Sequence, residues 1–255
     1  MDQTMFTGVF AAMSIAKKLD VVSNNLANVN TSGFKRSEVT FEDTMLHYAY
    51  DEVKEPVAYV QERRLFPEGK NVSRVRIVGD FIQTQQGSLR HTNNPFDVAI
   101  QGEGFFKVQH EQGIAYTRAG SFAVSSEGVL VTPDGYPVLG VSGPITIPQN
   151  AKYVEIDEEG MVTIDGTQLD QLDVVTIPTD SLQRLGNSLF FAEGAVETPS
   201  TAVIAQGRLE SSNVNAIQEM VSLIEVNRLF DMYQNIMQTS DSIQNIVTSR
   251  IAKAV

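Results

Sequence analysis

The sequence predicts an α+β protein: long N- and C-terminal α-helices form a coiled-coil base and carry an inserted all-β domain. Three observations predict it. Near the amino end, apolar or small residues recur in alternating steps of four and three, at Met5, Val9, Ala12, Ala16, Leu19, Ser23 and Leu26, which is a heptad seam. Near the carboxyl end, Leu223, Val226, Phe230, Tyr233, Met237 and Ser240 make one seam, and Leu229, Met232, Ile236, Ile243 and Val247 make a second beside it. Between the two ends, short strand-like runs alternate with Gly, Asp and Asn turns at spacings of about 8 to 12 residues.

The first helix occupies residues 1–33. Phe6, Phe10, Met13 and Val22 widen its apolar face beyond the seam. A lone helix of this length is marginal in water, so the face needs a partner. Asn24, Asn25, Asn28 and Asn30 fall in its last turns, against helix propensity. They suit a C-terminal cap ending at Gly33. Alternatively, their amides bond neighbouring backbones where copies pack. On that reading Asn24, Asn25 and Asn28 join Leu19 and Leu26 as subunit-packing residues.

Residues 34–79 read as an extended connector, broken by Pro56, Pro67 and Gly69, with short strands and one turn of helix near Phe41 to Tyr48. Val57, Tyr59 and Leu65 would share one face of an extended chain, and Val60 and Phe66 also need cover. A connector of this length is expected to lie on the β region or on a neighbouring subunit.

Residues 80–206 are the β domain, an antiparallel sandwich or partly closed barrel. Asp134-Gly135 and Asp165-Gly166 suit tight hairpins, because glycine accepts positive φ. No helical period separates the strands, which argues against a parallel α/β sheet.

Residues 207–255 hold the second helix. Asn215 is placed to cap it, with Gln218 three residues on. No Gly or Pro occurs from Ile217 to Ile251, a run of about 50 Å at 1.5 Å per residue. Leu223, Val226, Leu229, Phe230, Tyr233, Ile236 and Ile243 are its candidate subunit-packing residues. The plainer arrangement is two helices of one compact bundle.

The charge supports this division. The net charge is -12, from 19 basic and 31 acidic residues, and nearly all of it lies in the middle of the chain. Near-neutral ends can pack densely while an acidic middle stays solvated. An acidic chain with no basic tract is a poor nucleic-acid binder. The chain has no cysteine, which removes disulfides and thiolate chemistry together. The opening has no basic stretch ahead of an apolar run, and no stretch has the roughly 18 apolar residues of a membrane span.

No catalytic, cofactor-binding or metal-binding constellation is expected. Gly102 to Phe106, GEGFF, lacks the third glycine and following helix of a dinucleotide loop and reads as a turn. His47, His91 and His110 are isolated, whereas zinc needs three or four convergent ligands. Asp157, Glu158, Glu159 and Asp165 flank Gly160 without calcium-loop spacing and read as solvated turn acids. No nucleophile elbow or phosphate loop occurs.

Four motifs in order carry a resemblance: SNNLANVNTSGFK (23–35), QGSLRHTNNPFDVAIQGEGFFKVQ (86–109), YTRAGSFAVSSEGVLVTPDGYPVLG (116–140) and GRLESSNVNAIQEMVSLIEVNRLFDM (207–232). Together they resemble the bacterial flagellar basal-body rod family, within the wider group of rod, hook and hook-associated axial proteins. The resemblance implies a structural subunit without catalysis or cofactor. It further implies export without a cleaved signal, terminal helices that pair in an inner coiled-coil tube, and a β domain that forms an outer layer. The implied partners are copies of itself and other rod or hook subunits, with no nucleic acid, small-molecule substrate or membrane insertion. Two branches of the family fit the length. The MDQTMFTG opening and GPITIP (143–148) favour one, while FEDTML (41–46) and the NNLANVNTSGFK run lean to the other. The alternative reading is a soluble β-domain binding module with helical oligomerisation ends. It requires a concave ligand site in residues 80–206.

Overall fold

A computed structural model describes residues 3–47, 71–148, 150–151, 153–186, 188–192 and 194–252. Two long helices bracket these residues, α1 (Gln3–Ala27) and α2 (Ala216–Ala252). Asn215 caps α2 through its side chain, whose Oδ1 accepts the backbone N–H groups of Ile217 (3.1 Å) and Gln218 (3.4 Å). A side-chain oxygen there satisfies donors that have no partner inside the helix. The expected start of α2 and its unbroken length both hold.

After α1 the chain forms strand β1 (Ser37–His47), which pairs with β2 (Asn71–Ile82) in a two-stranded ribbon. The helical turn expected near Phe41 to Tyr48 is therefore corrected: the chain is strand as far as His47. Val39 and Phe41 alternate with polar neighbours, and the paired strand supplies backbone partners that an isolated helical turn lacks. Val57, Tyr59, Val60, Leu65 and Phe66 lie outside the described residues, as does Tyr48.

The chain falls into two compact units. One holds the described residues of Met1–Asp20, Val39–Gly79 and Leu223–Val255; the other holds Val21–Glu38 and Asp80–Ser222.

In the second unit the named strand pairs are all antiparallel. Its largest sheet has six strands, in the order Leu182–Arg184, Leu189–Ala192, Gly113–Thr117, Phe105–His110, Val174–Thr176 and Thr198–Pro199. Both of its faces are covered. Phe106, Val108 and Ala115 enter one apolar core, while Phe105, Tyr116, Val175 and Phe190 enter a second. Successive strand residues point to opposite faces, so consecutive buried residues such as Phe105 and Phe106 mark a sheet packed on both sides. Edge-to-face ring contacts join Phe106 to Phe122 at 5.2 Å and Phe105 to Phe190 at 5.7 Å.

The expected hairpins form. Met161–Ile164 and Thr167–Gln171 turn at Asp165 (φ 49°) and Gly166 (φ 84°). Positive φ at both central residues gives a turn whose twist matches its strands.

In the first unit, α1 and α2 touch. A Cβ built on Gly8 would lie 3.7 Å from Met237 Cγ, an ordinary van der Waals contact. The two seams of α2 fare differently. Val226 in the first seam is 2% exposed, and Leu223, Phe230, Tyr233, Met237 and Ser240 are half-buried. In the second seam Leu229, Met232, Ile236 and Ile243 are 41–56% exposed.

Candidate functional site

The described structure carries two candidate features, a buried ionic knot in the second unit and an open apolar face on α2 in the first.

The knot begins where α1 ends. Asn25 is 1% exposed, and its amide clips Ser37 twice: Nδ2 donates to the Ser37 carbonyl and Oδ1 accepts the Ser37 N–H, both at 2.9 Å. Asn28 turns back into the helix end, with Nδ2 donating to the Asn24 carbonyl at 2.9 Å and Oδ1 accepting from Thr31 Oγ1 at 3.1 Å. Gly33 follows at φ 69°, and its N–H donates to the Glu210 carbonyl at 2.8 Å. A Cβ there would sit 2.3 Å from the Ala119 nitrogen. Glycine is thus required both for the left-handed backbone and for the close approach.

The next three residues are each gripped. Phe34 is fully buried, with the Arg184 guanidinium 4.5 Å from its ring centroid, a cation–π arrangement. Lys35 is 1% exposed, and Nζ donates to Glu210 Oε1 (2.7 Å), the Gln85 carbonyl (2.8 Å) and the Thr84 carbonyl (3.2 Å). Arg36 donates its backbone N–H to Asn213 Oδ1 (2.7 Å) and Nε to Glu219 Oε1 (2.6 Å). Arg184 also donates to the Lys35 carbonyl and to Ser37 Oγ.

Glu210 sits at the centre. It accepts from Lys35 and from the Gly87 N–H (2.8 Å) on one oxygen and from Arg118 Nε (2.6 Å) on the other. Arg118 spends its remaining nitrogens on the carbonyls of Ile100, Gly102 and Gly104. The GEGFF turn therefore presents carbonyls to a buried arginine, as a turn and not as a phosphate loop. Burial pulls the Lys35 ammonium below the usual lysine range, and the adjacent Glu210 carboxylate opposes that shift. Glu219 Oε2 is buried and finds no hydrogen-bond partner among the described residues. Glu219 lies in the first turn of α2, where the helix dipole favours negative charge.

A smaller brace crosses the six-stranded sheet. Lys107 Nζ pairs with Asp173 (2.8 Å) and Glu197 (2.5 Å), and the Tyr116 hydroxyl donates to Glu197 at 2.5 Å. Burial would raise the Glu197 pKa, but hydrogen bonds from Lys107 and Tyr116 outweigh it and hold the carboxyl below its ordinary value. Asp157 accepts the Glu159 and Met161 N–H groups around the Gly160 turn, an ordinary turn contact. His110 lies against Tyr136 and Phe191.

The structure separates the residues expected from sequence to pack subunits. Asn25 and Asn28 spend their amides inside their own chain. Asn25 needs both amide atoms to hold Ser37. Asn24 is exposed, Leu19 and Leu26 are half-buried, and Val226, Leu223, Phe230 and Tyr233 belong to the covered seam. Leu229, Ile236 and Ile243 lie open, and a shallow groove runs past Ile236 and Ile243 beside Arg228, Asp231, Asn235 and Thr239.

A concave pocket of about 530 Å³ does occur in the second unit, with Lys35, Arg118, Glu103 and Phe105 in its wall. All three Lys35 donors are already used within the chain, so that charge is not free to hold a ligand. No helix of the described residues is long and apolar enough to cross a membrane.

Lys35, Arg118 and Glu210 were not singled out in the sequence. All three stand inside quoted motifs, Lys35 in 23–35, Arg118 in 116–140 and Glu210 in 207–232, but one sequence does not show which charges are buried.

Comparison with known proteins assigns the whole chain. Residues 5–35 match the family model "Flagella basal body rod protein", residues 99–164 match "Flagellar hook protein FlgE/F/G D1 domain", and residues 205–250 match "Flagellar basal body rod FlgEFG protein C-terminal". The flagellar basal-body rod protein FlgG of Buchnera aphidicola subsp. Acyrthosiphon pisum is 36% identical, over 88% of this chain and 90% of its own length. FlgG of Agrobacterium fabrum is 34% identical over 91% of this chain and 93% of its own length. The flagellar basal-body rod protein FlgF of Caulobacter vibrioides is 32% identical over 99% of both chains. The relatives and the three matched segments agree: the chain belongs to the flagellar basal-body rod protein family, whose FlgF and FlgG branches it resembles.

Proposed function

We propose that this chain is a non-catalytic structural subunit of the flagellar rod that assembles through the open seam of α2. One observation carries the reading. Leu229, Met232, Ile236 and Ile243 form an apolar row along α2 that is 41–56% exposed, beside a seam covered within the chain. An exposed heptad face seeks a partner, and the identical face of neighbouring copies has the matching chemistry. In this reading residues 1–33 and 207–255 build a coiled-coil inner layer of the drive shaft. Residues 80–206 form its outer layer, and residues 34–79 stiffen the connection. The subunit leaves the cell unfolded, and its partners are copies of itself and other rod or hook subunits. The MDQTMFTG opening and GPITIP resemble the FlgF branch, which is the finer assignment we favour; FEDTML and NNLANVNTSGFK resemble FlgG. Such a subunit transmits torque by packing rigidity and supports motility.

The chain has no cysteine, so single cysteines report cleanly. In isolated basal bodies, Met232→Cys or Ile236→Cys is expected to give multimers with a short thiol cross-linker. Tyr153→Cys, at a β-domain position 78% exposed, is expected to give few. Cross-linking at residue 153 with none at 232 or 236 would refute the proposed inner layer.

A further inference from the structure

Residues 33–36 are gripped by elements far away in sequence, and the grip differs at each residue. Gly33 lies against the Ala119 backbone and bonds the Glu210 carbonyl. Phe34 lies under the Arg184 guanidinium. Lys35 reaches Glu210 and the carbonyls of Thr84 and Gln85. Arg36 reaches Asn213 and Glu219, and its carbonyl accepts the Gln83 N–H at 2.9 Å. The separations along the chain run from 47 residues (Gln83) to 183 (Glu219). Val21–Glu38 belongs to the second unit, yet the chain leaves that unit at Val39 and re-enters it at Asp80. The segment thus sits in its cleft as a separate piece of chain.

We infer that this cleft is a recognition site for a Gly-Phe-Lys-Arg segment. The chain's own residues 33–36 fill it here, and the same segment of another copy can fill it in trans. Each subsite states a chemical demand. The first admits only a residue without a side chain, since a Cβ would meet backbone at 2.3 Å. The second takes an aromatic ring against a guanidinium. The third takes a primary ammonium, whose three donors match one carboxylate oxygen and two carbonyls. The fourth takes a guanidinium against a buried carboxylate. The occupying segment is joined to the rest of its unit through residues 39–79. A linked segment of that kind acts at an effective concentration on the order of millimolar, so a free segment at such concentrations competes with it. This inference concerns the second unit alone and stands whether or not the seam of α2 carries assembly.

The test uses the full-length chain carrying Phe34→Ala and Lys35→Met, which weakens its own hold on the cleft, and a synthetic peptide of residues 28–38. The unfolding midpoint of this variant is expected to rise with the logarithm of peptide concentration, as for any ligand of the folded state. The wild-type chain, whose cleft is filled, is expected to show a smaller rise. A peptide carrying Gly33→Ala is expected to have no effect. If the double variant does not fold alone, recovery of its cooperative transition on adding the peptide supports the site, and full-length Phe34→Leu carries the same titration. No rise in a folded variant at millimolar peptide, or an equal rise with the Gly33→Ala peptide, would overturn the inference.

Discussion

Glu210→Ala is expected to lower the stability of the second unit by at least about 3–5 kcal/mol, the cost of breaking a buried ion pair. Here one carboxylate, 1% exposed, serves two cations, Lys35 at 2.7 Å and Arg118 at 2.6 Å. Its removal also frees the Gly87 N–H. A typical domain is stable by about 5–15 kcal/mol, so the loss is a large share of the total. Urea denaturation should show it as a lower midpoint. The variant should also become more stable as pH rises toward the lysine range. Burial already lowers the Lys35 pKa, and Glu210 is the group that opposes this. With the folded pKa below the unfolded one, the unfolded chain binds more protons in that window, so stability increases with pH. A midpoint unchanged from wild type would show that the knot contributes little.

Leu229→Asp combined with Ile236→Asp should abolish rod assembly and motility while the protein stays folded. The two residues are 41% and 52% exposed in the single chain, and surface changes usually move stability by about 0.5 kcal/mol or less. In an assembled inner layer, each aspartate would be buried without a partner, at a cost of several kcal/mol, repeated at every subunit. The readouts are swarming on soft agar, rod content of purified basal bodies, and circular dichroism of the soluble variant. A variant that builds working rods would place this seam on the outside.

The terminal helices were legible because a heptad repeat of apolar residues has few other meanings. Leu223 through Ser240 and Leu229 through Val247 separate into two seams by spacing alone, but only the structure distinguishes the covered seam from the open one. The Asp165-Gly166 hairpin was legible because so few residues accept positive φ. The β1–β2 ribbon was not, because its strands are far apart in sequence and pairing is a long-range choice. The asparagine motif was legible as a helix end, but the bonds its amides make within the chain were not. Asn25 bonds Ser37 only 12 residues away, a local clip that resembles an intersubunit contact when only residue type is known. The knot was the least legible feature. Lys35, Arg118 and Glu210 look like any surface charges until the fold brings positions 35, 118 and 210 together.

The central claim is that the open seam of α2 is covered by neighbouring copies. Amide hydrogen exchange of the dilute monomer and of purified rods tests it most directly. Backbone amides in 223–252 should exchange faster in the monomer, where the Leu229, Met232, Ile236 and Ile243 face lies open and helix ends fray, than in the rod. The strands within 98–192 should be protected in both. Equal protection of 223–252 in a verified monomer and in the rod would contradict the account.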